Sequence, residues 1–261
     1  MSFTTIILAG GLGKRMNSTL PKVLHCIQDK PMIYYVIRNA LTIGSANILI
    51  VVGKYRAIIA TEIERFFNPA ELIKIHYIDQ PETIENNKIK VMGTGDAVKC
   101  CLPFFIQNNT QLNSKVLILS GDVPMITSGT IQRLLDTTNS ILITELEKPF
   151  GCGRIFLDKK NTISKIVEEK DCADEEKQCK LVNCGIYNIN VDVLLECIPQ
   201  ITNQNKNQEY YLTDLVEIAI KKQIDIMYYM LPIQNQHEII NINTQDELLQ
   251  ANNIEIFAAS T

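Results

Sequence analysis

The chain contains no tryptophan, and none of its eight cysteines belongs to a C-x-x-C pair. The cysteines stand at 26, 100, 101, 152, 172, 179, 184 and 197, and the three histidines, at 25, 76 and 237, are far apart in sequence. That spacing speaks against the common zinc signatures and leaves a reduced chain with buried thiols as the simpler reading. Basic residues are outnumbered, 25 Lys and Arg against 29 Asp and Glu, for a formal net charge of −4. The basic footprint of a nucleic-acid binder is therefore missing, and no nucleic-acid partner is expected. No apolar run reaches the ~18 residues that a membrane-spanning helix requires, so no membrane partner is expected. The amino terminus runs straight into a short strand and a glycine loop, which is not the pattern of a signal peptide. A cytoplasmic location follows as the default expectation. Hexapeptide repeats of the parallel β-helix kind are absent, and no Ser/His or Cys/His arrangement stands out as a nucleophile with its base.

What is present is an alternation. Hydrophobic residues make up 46% of the 261, enough for a full buried core. The runs 5–8, 47–52, 72–78 and 115–119 read as continuous apolar strands. Between them, 32–41, 55–67, 94–105 and 127–136 have helical periodicity. Continuous apolar strands separated by helices predict an α/β chain with a parallel sheet covered on both faces. The second half is less regular, with strands expected at 140–144, 154–157, 162–167, 182–189 and 226–231 and helices at 210–222 and 246–257. In such sheets ligands bind beyond the carboxyl ends of the strands. The segments at 9–22, after Ile78 and after Leu119 would all open there.

The first of these segments is the most specific. Leu8-Ala9-Gly10-Gly11-Leu12-Gly13-Lys14-Arg15-Met16, closed by Pro21-Lys22, follows the first strand. Glycines allow close backbone approach, successive N–H groups make an anion-binding concavity, and Arg15 and Lys22 add fixed positive charge. An ordinary glycine loop with solvated cations is the competing reading. The spacing rejects a Walker A loop, because Gly13-Lys14 is followed by Arg15 rather than Ser or Thr. It also rejects the dinucleotide fingerprint, because no glycine follows at 16. Asn17, Ser18, Thr19 and Pro21 favour turns, so a long wrapped loop is expected in place of a helix N-terminus.

Three further stretches could carry chemistry. Leu119-Ser120-Gly121-Asp122-Val123-Pro124 places a carboxylate directly after a buried strand, where it could cap a turn or, facing a phosphate loop, hold Mg²⁺. Gly151-Cys152-Gly153-Arg154 reads as a bulge or a close approach to a ligand. Glu168 follows an apolar strand within a charge cluster, and Asn183 precedes a Gly-containing strand; solvated and turn roles are their plain alternatives.

The order of motifs is more specific than any one of them. LAGGLGKRM, PKVLH, GTGDAV (93–98), LSGDVP, GCGRI, IVEEKD, NCGIY, EYYLTD (209–214) and NINT (241–244) occur in register over about residues 4–250. The set resembles the bacterial-type N-acetylglucosamine-1-phosphate uridyltransferases, the pyrophosphorylase domain of the bifunctional GlmU enzymes. The resemblance implies a Rossmann-like three-layer sandwich with a mainly parallel mixed sheet, the nucleotide-diphospho-sugar transferase fold. It also implies a single domain over 1–261 without the family's C-terminal left-handed β-helix, and a monomer or dimer. The implied reaction is Mg²⁺-dependent transfer of UMP from UTP to N-acetylglucosamine-1-phosphate. Leu8, Ala9, Gly10, Gly11, Gln80, Gly93 and Thr94 would hold the uridine, and Arg15 and Lys22 the reacting phosphates. Asp122 and Asn243 would ligate Mg²⁺. Gly121, Gly153, Glu168 and Asn183 would line the sugar side, along with the EYYLTD segment. Another nucleotide or hexose-1-phosphate, and a non-catalytic sugar-nucleotide sensor, are the alternatives.

The chain departs from that pattern where Ser120 and Cys152 replace tyrosines and Asp96 replaces a histidine. The segment 81–92 is longer than usual, and a second glutamine expected just before Gly93 is missing. A mobile lid or base-side wall is expected there.

Overall fold

A computed structural model describes residues 3–11, 13–85, 88–90 and 92–253. In chain order the amino-terminal half comprises β1 (Thr4–Leu8), a loop with 3-10 turns, and the small hairpin β2 (Cys26–Ile27) and β3 (Lys30–Pro31). Next come α1 (Met32–Thr42), β4 (Asn47–Val52), α2 (Arg56–Glu64), α3 (Pro69–Leu72) and β5 (Ile75–Asp79). The hairpin β6 (Thr83–Glu85) and β7 (Lys88–Lys90) precedes α4 (Thr94–Lys99), α5 (Leu102–Gln107), β8 (Lys115–Ser120) and α6 (Ser128–Leu135). The second half adds β9 (Ser140–Glu145), β10 (Arg154–Leu157), β11 (Ile163–Val167) and β12 (Leu181–Asn190). It ends with α7 (Val191–Cys197), α8 (Asp214–Lys221), β13 (Met227–Met230) and α9 (Gln245–Asn252).

Among the described residues, nine strands form one sheet whose main path is β11-β10-β12-β8-β1-β4-β5, with β9 pairing β12 off this path and β13 pairing β9. β8, β1, β4 and β5 run parallel, whereas β12 meets β8 and β9 antiparallel. The sheet is thus mixed, and parallel across β8, β1, β4 and β5.

Alternation along the strands builds three layers. Ile6, Leu49, Val51, Val116 and Ile118 belong to one buried cluster, packed with Val98, Phe105, Leu194 and Leu215 from α4, α5, α7 and α8. Their immediate neighbours Ile7, Ile48, Ile50, Leu117 and Leu119 belong to the other, with Ile33, Val36, Ile59 and Ile131 from α1, α2 and α6. The apolar stripe of α1, Met32, Ile33, Val36, Ile37 and Ala40, has the spacing of one helix face.

Several boundaries differ from the periodicity reading. The expected strand 72–78 begins only at Ile75, because Asn68 and Glu71 form a capping box around Pro69 and turn 69–72 into helix. The expected helix 94–105 breaks after Lys99, since Pro103 has no N–H and its ring would clash with the carbonyl four residues back. The expected helix 210–222 starts at Asp214. Tyr210 is occupied elsewhere: its N–H donates to the Met92 carbonyl at 2.8 Å and its own carbonyl accepts from Gly95 N–H at 2.8 Å. The terminal helix spans Gln245–Asn252, and residues 254–257 of that expectation lie outside the described residues. Helix α7 had no expectation; its seven residues are too short for a periodic signal.

Candidate active site

Backbone pairing continues past the parallel strand ends and sets three loop starts side by side. Ala9 N–H donates to the Val51 carbonyl at 2.9 Å, Gln80 N–H to that of Val52 at 2.8 Å, and Gly121 N–H to that of Leu8 at 2.9 Å. Over them opens a cleft of about 430 Å³. Its walls include Leu8, Ala9, Gly10, Gly11, Lys22, Gln80, Gly93, Thr94, Asp122 and Glu168, drawn from segments up to 160 residues apart.

The glycine loop is wrapped, as its turn residues predict. Gly13 and Asn17 are both left-handed, with φ of 58° and 48°, and bracket a 3-10 turn at Lys14–Met16. Gly13 is required twice over: a Cβ there would stand 2.9 Å from Lys22 Cβ, in a conformation that L side chains rarely adopt. Met16 is fully buried, and Gln245 Nε2 from α9 donates to its carbonyl at 3.1 Å. The loop is therefore pinned from the far end of the chain. Arg15 is exposed at its rim and makes no hydrogen bond or ion pair with a described residue, leaving the guanidinium available to an anion.

Lys22 carries the strongest polar convergence. Its Nζ donates to Asp122 Oδ2 and, at 2.9 Å, to Asn243 Oδ1. The Lys22 and Asp122 side chains are only 14% and 10% exposed. Ser120 Oγ donates to the other oxygen, Asp122 Oδ1, at 2.5 Å. Asn243 is itself held, through its N–H to Glu247 Oε2 at 2.6 Å at the start of α9. Two hard oxygens from residues 122 and 243 thus face one cation. That donor set suits Mg²⁺, which takes one or two protein oxygens and completes its shell with water and phosphate. Among the described residues no group of three or more His, Cys, Asp or Glu could hold a metal ion.

At the start of α4, Gly93 has φ of 97°, and a Cβ would lie 2.4 Å from the Tyr210 carbonyl. Thr94 Oγ1 accepts from Leu212 N–H at 3.1 Å, which stitches α4 to the 210–213 segment. Gln80 Nε2 donates to Asp96 Oδ2 at 2.8 Å and to the Gly93 carbonyl at 3.2 Å. The segment 81–92 contains the antiparallel hairpin β6–β7, with Ile84 opposite Ile89.

On the opposite wall, Glu168 Oε1 accepts from Thr213 Oγ1 at 2.9 Å. Burial pushes the Glu168 carboxyl up, the Thr213 hydroxyl pulls it down, and Asp171 and Glu209 push it further up. Gly153 is buried beside it, and its carbonyl accepts from Asn183 N–H at 3.0 Å. The Asn183 side chain is committed to its own strand, accepting from Gly185 N–H and donating to Tyr187 OH at 2.7 Å. Gly121 is buried beneath the cleft floor. Arg15, Gly121, Gly153 and Asn183 are therefore not among the residues lining the cleft, and Asn243 reaches it through Lys22.

Sequence reasoning passed over the lining residues Glu169, Lys170 and Asn207, whereas Tyr211 belongs to the EYYLTD segment and Ser120 to the departures it had named. It also passed over Arg154, which is 2% exposed and donates to the Cys152 carbonyl and to Glu169 Oε1 at 3.2 Å. Glu169 in turn accepts from Gly151 N–H, so this pair sets the 151–153 turn. A charged residue inside GCGRI, followed at Glu169 by a partner in the next strand's charge cluster, was the available signal.

Comparison with known proteins gives the family and the fold. A family model described as nucleotidyl transferase matches residues 4–235. A protein of Acanthamoeba polyphaga mimivirus, named a probable UDP-N-acetylglucosamine pyrophosphorylase, is 43% identical over 93% of this chain and 92% of its own length. The bifunctional protein GlmU of Caldanaerobacter subterraneus subsp. tengcongensis is 36% identical over 96% of this chain, which spans only 51% of that protein. Among solved structures, a UDP-glucose pyrophosphorylase complexed with UDP-glucose superposes with a TM-score of 0.69 at 19% identity, covering 97% of this chain and 98% of that one. The last likeness shows the nucleotide-diphospho-sugar transferase fold.

Proposed function

The chain belongs to the nucleotidyl transferase family, and from that premise we propose that it transfers UMP from UTP to N-acetylglucosamine-1-phosphate, releasing pyrophosphate. The observation that carries the reading is the convergence of Lys22 on Asp122 and Asn243 beside the glycine loop, in a cleft whose far wall is the Glu168 carboxylate. A 43% identical relative bearing that activity in its name supports the choice of sugar and base.

The chemistry asks little beyond positioning. A phosphate oxygen of the sugar-1-phosphate is already anionic and forms the new bond at the α-phosphorus of UTP. The bond from that phosphorus to the α–β bridging oxygen breaks, and its electron pair leaves with pyrophosphate. No general base is needed, in keeping with a cleft whose lining includes no histidine or cysteine among the described residues. What remains is to align two anions and offset their repulsion. Lys22 and Arg15 supply positive charge on the cleft floor and rim. Leu8 to Gly11, Gln80, Gly93 and Thr94 would hold the uridine, and Glu168 would bond a sugar hydroxyl, with Gly153 and Asn183 shaping the strand behind it. When bound, Mg²⁺ neutralises charge between the two substrates, and Asp122 and Asn243 are the residues that would hold it.

Pyrophosphate release assayed over a panel of nucleoside triphosphates and sugar-1-phosphates tests the reading. UTP with N-acetylglucosamine-1-phosphate should be the best pair, lost on chelation and restored by Mg²⁺. Flat activity with that pair would sink it. Ser120 and Cys152, standing where the resemblance leads one to expect tyrosine, favour a second reading in which the sugar pocket admits another hexose-1-phosphate. The same panel separates the two. Nucleotide binding with no turnover from any pair would identify a sensor.

A further inference from the structure

Asp96 stands where the resemblance leads one to expect histidine, and it faces the residue that the proposed function sets against the base. Gln80 Nε2 makes two bonds, to Asp96 Oδ2 at 2.8 Å and to the Gly93 carbonyl at 3.2 Å. Both partners are acceptors, so only the amide nitrogen can face them. Turning the amide over would set its oxygen against a carboxylate and a carbonyl. Its oxygen is thereby directed the other way, toward the glycine loop: Oε1 lies 3.3 Å from where a Cβ on Gly10 would be, and Gln80 and Gly10 both line the cleft. The backbone of Gln80 is fixed as well, through its N–H to the Val52 carbonyl.

We propose that Asp96 is a specificity-determining positioning residue, which locks the Gln80 amide with its acceptor toward the cleft so that the site takes a base bearing a ring N–H. Uracil, thymine and guanine present such a group; the corresponding ring nitrogens of cytosine and adenine are bare acceptors. Against Gln80 Oε1 those two bases set acceptor against acceptor, and a site built to bond an N–H discriminates strongly against a ligand lacking it. A histidine at 96 could donate or accept and would not impose one amide orientation. The missing second glutamine before Gly93 makes this single amide the more important.

The inference rests on the base lying beside Gln80, and its test is separable from that of the reaction. Calorimetric binding of UTP and CTP, together with kcat/KM for each by pyrophosphate release, is compared for the parent, Asp96→Ala and Asp96→Lys. In the parent UTP is favoured. Asp96→Ala leaves only the longer bond to the Gly93 carbonyl to orient the amide, and lowers the UTP-to-CTP ratio by up to about tenfold, the value of one lost discriminating hydrogen bond. Asp96→Lys donates to Oε1, turns the amide nitrogen to the cleft and lowers the ratio further, CTP binding rising as UTP binding falls. A merely structural role would weaken both nucleotides alike and leave the ratio where it was. A ratio within twofold of the parent in both variants, with thermal unfolding unchanged, overturns the proposal. A parent that binds UTP over CTP but does not turn it over with N-acetylglucosamine-1-phosphate defeats the proposed reaction and leaves the Asp96 comparison intact.

Discussion

Lys22 donates to two oxygens contributed by residues 122 and 243, from a side chain that is largely withdrawn from solvent. Replacing it removes the cation and leaves a carboxylate that is nine-tenths covered without its partner. Lys22→Ala should therefore lower kcat/KM by at least ~100-fold, on the order of 3 kcal/mol, by analogy with a lost oxyanion donor. Steady-state pyrophosphate release measures this, and a loss below about fivefold would remove Lys22 from the reacting centre. Gly13 is a second test at this scale. Gly13→Ala forces a Cβ into the left-handed region at a cost of ~1–2 kcal/mol and against Lys22 Cβ. It should cost activity about tenfold with only a modest fall in melting temperature, and unchanged kinetics would show that the loop's approach to Lys22 is dispensable. Lys22, Asp122 and the glycines were legible in the chain, because each sits in a short motif at a strand end. Ser120 bonding Asp122 and Arg154 bonding Glu169 were not, because a polar residue beside a motif has no sequence mark of the partner it meets.

At the scale of elements, the wall at Gly93 depends on one crossing between distant segments. Tyr210 inserts between Met92 and Gly95, closing α4 against the stretch that leads into α8. Gly93→Ala would place a Cβ 2.4 Å from the Tyr210 carbonyl, which must then withdraw. A loss of at least ~2 kcal/mol in unfolding free energy is expected, read by urea denaturation, from strain at φ of 97° together with the broken crossing. A variant as stable as the parent would mean that the crossing yields at little cost. The β6–β7 hairpin stands between Gln80 and Gly93, which both line the cleft and which the proposed function sets against the base. Replacing residues 82–90 by a short flexible link should raise the KM for UTP several-fold. An unchanged KM and an unchanged nucleotide preference would make the hairpin a surface excursion. Strands of the parallel half were readable from their continuous apolar runs. The breaks at Pro69, Pro103 and Tyr210 required either local rules that override periodicity or a partner more than a hundred residues away.

For the whole molecule, the cleft concentrates acid groups on one wall. Burial pushes the Glu168 and Glu209 carboxyls up, and burial followed by Glu217, Glu168 and Asp171 raises Asp214 from 3.8 to about 6. A carboxyl whose folded pKa is raised favours the native state when protonated, so its contribution is present below about pH 4 and is lost as pH climbs through about 6. Asp214→Asn should therefore be little different from the parent near pH 4 and more stable near pH 8. The gain should be about 1–2 kcal/mol after the discount that a half-exposed group requires. Urea denaturation at both pH values checks it, and a gain independent of pH would refute the electrostatic origin. Continuous apolar strands separated by helical periodicity sufficed to predict an α/β chain with both sheet faces covered, because run length and helix period are local properties of the chain. The glycine spacing sufficed to reject two other phosphate loops, because backbone conformation there depends on which residues lack a Cβ. The direction of the Gln80 amide, the meeting of Lys22 with Asn243 across 221 residues, and the burial that raises the acidic wall did not follow from the residues. Each depends on which distant segments the strand order brings to one sheet edge, and hydrogen bonding and desolvation act through that proximity in space, for which separation along the chain is no guide.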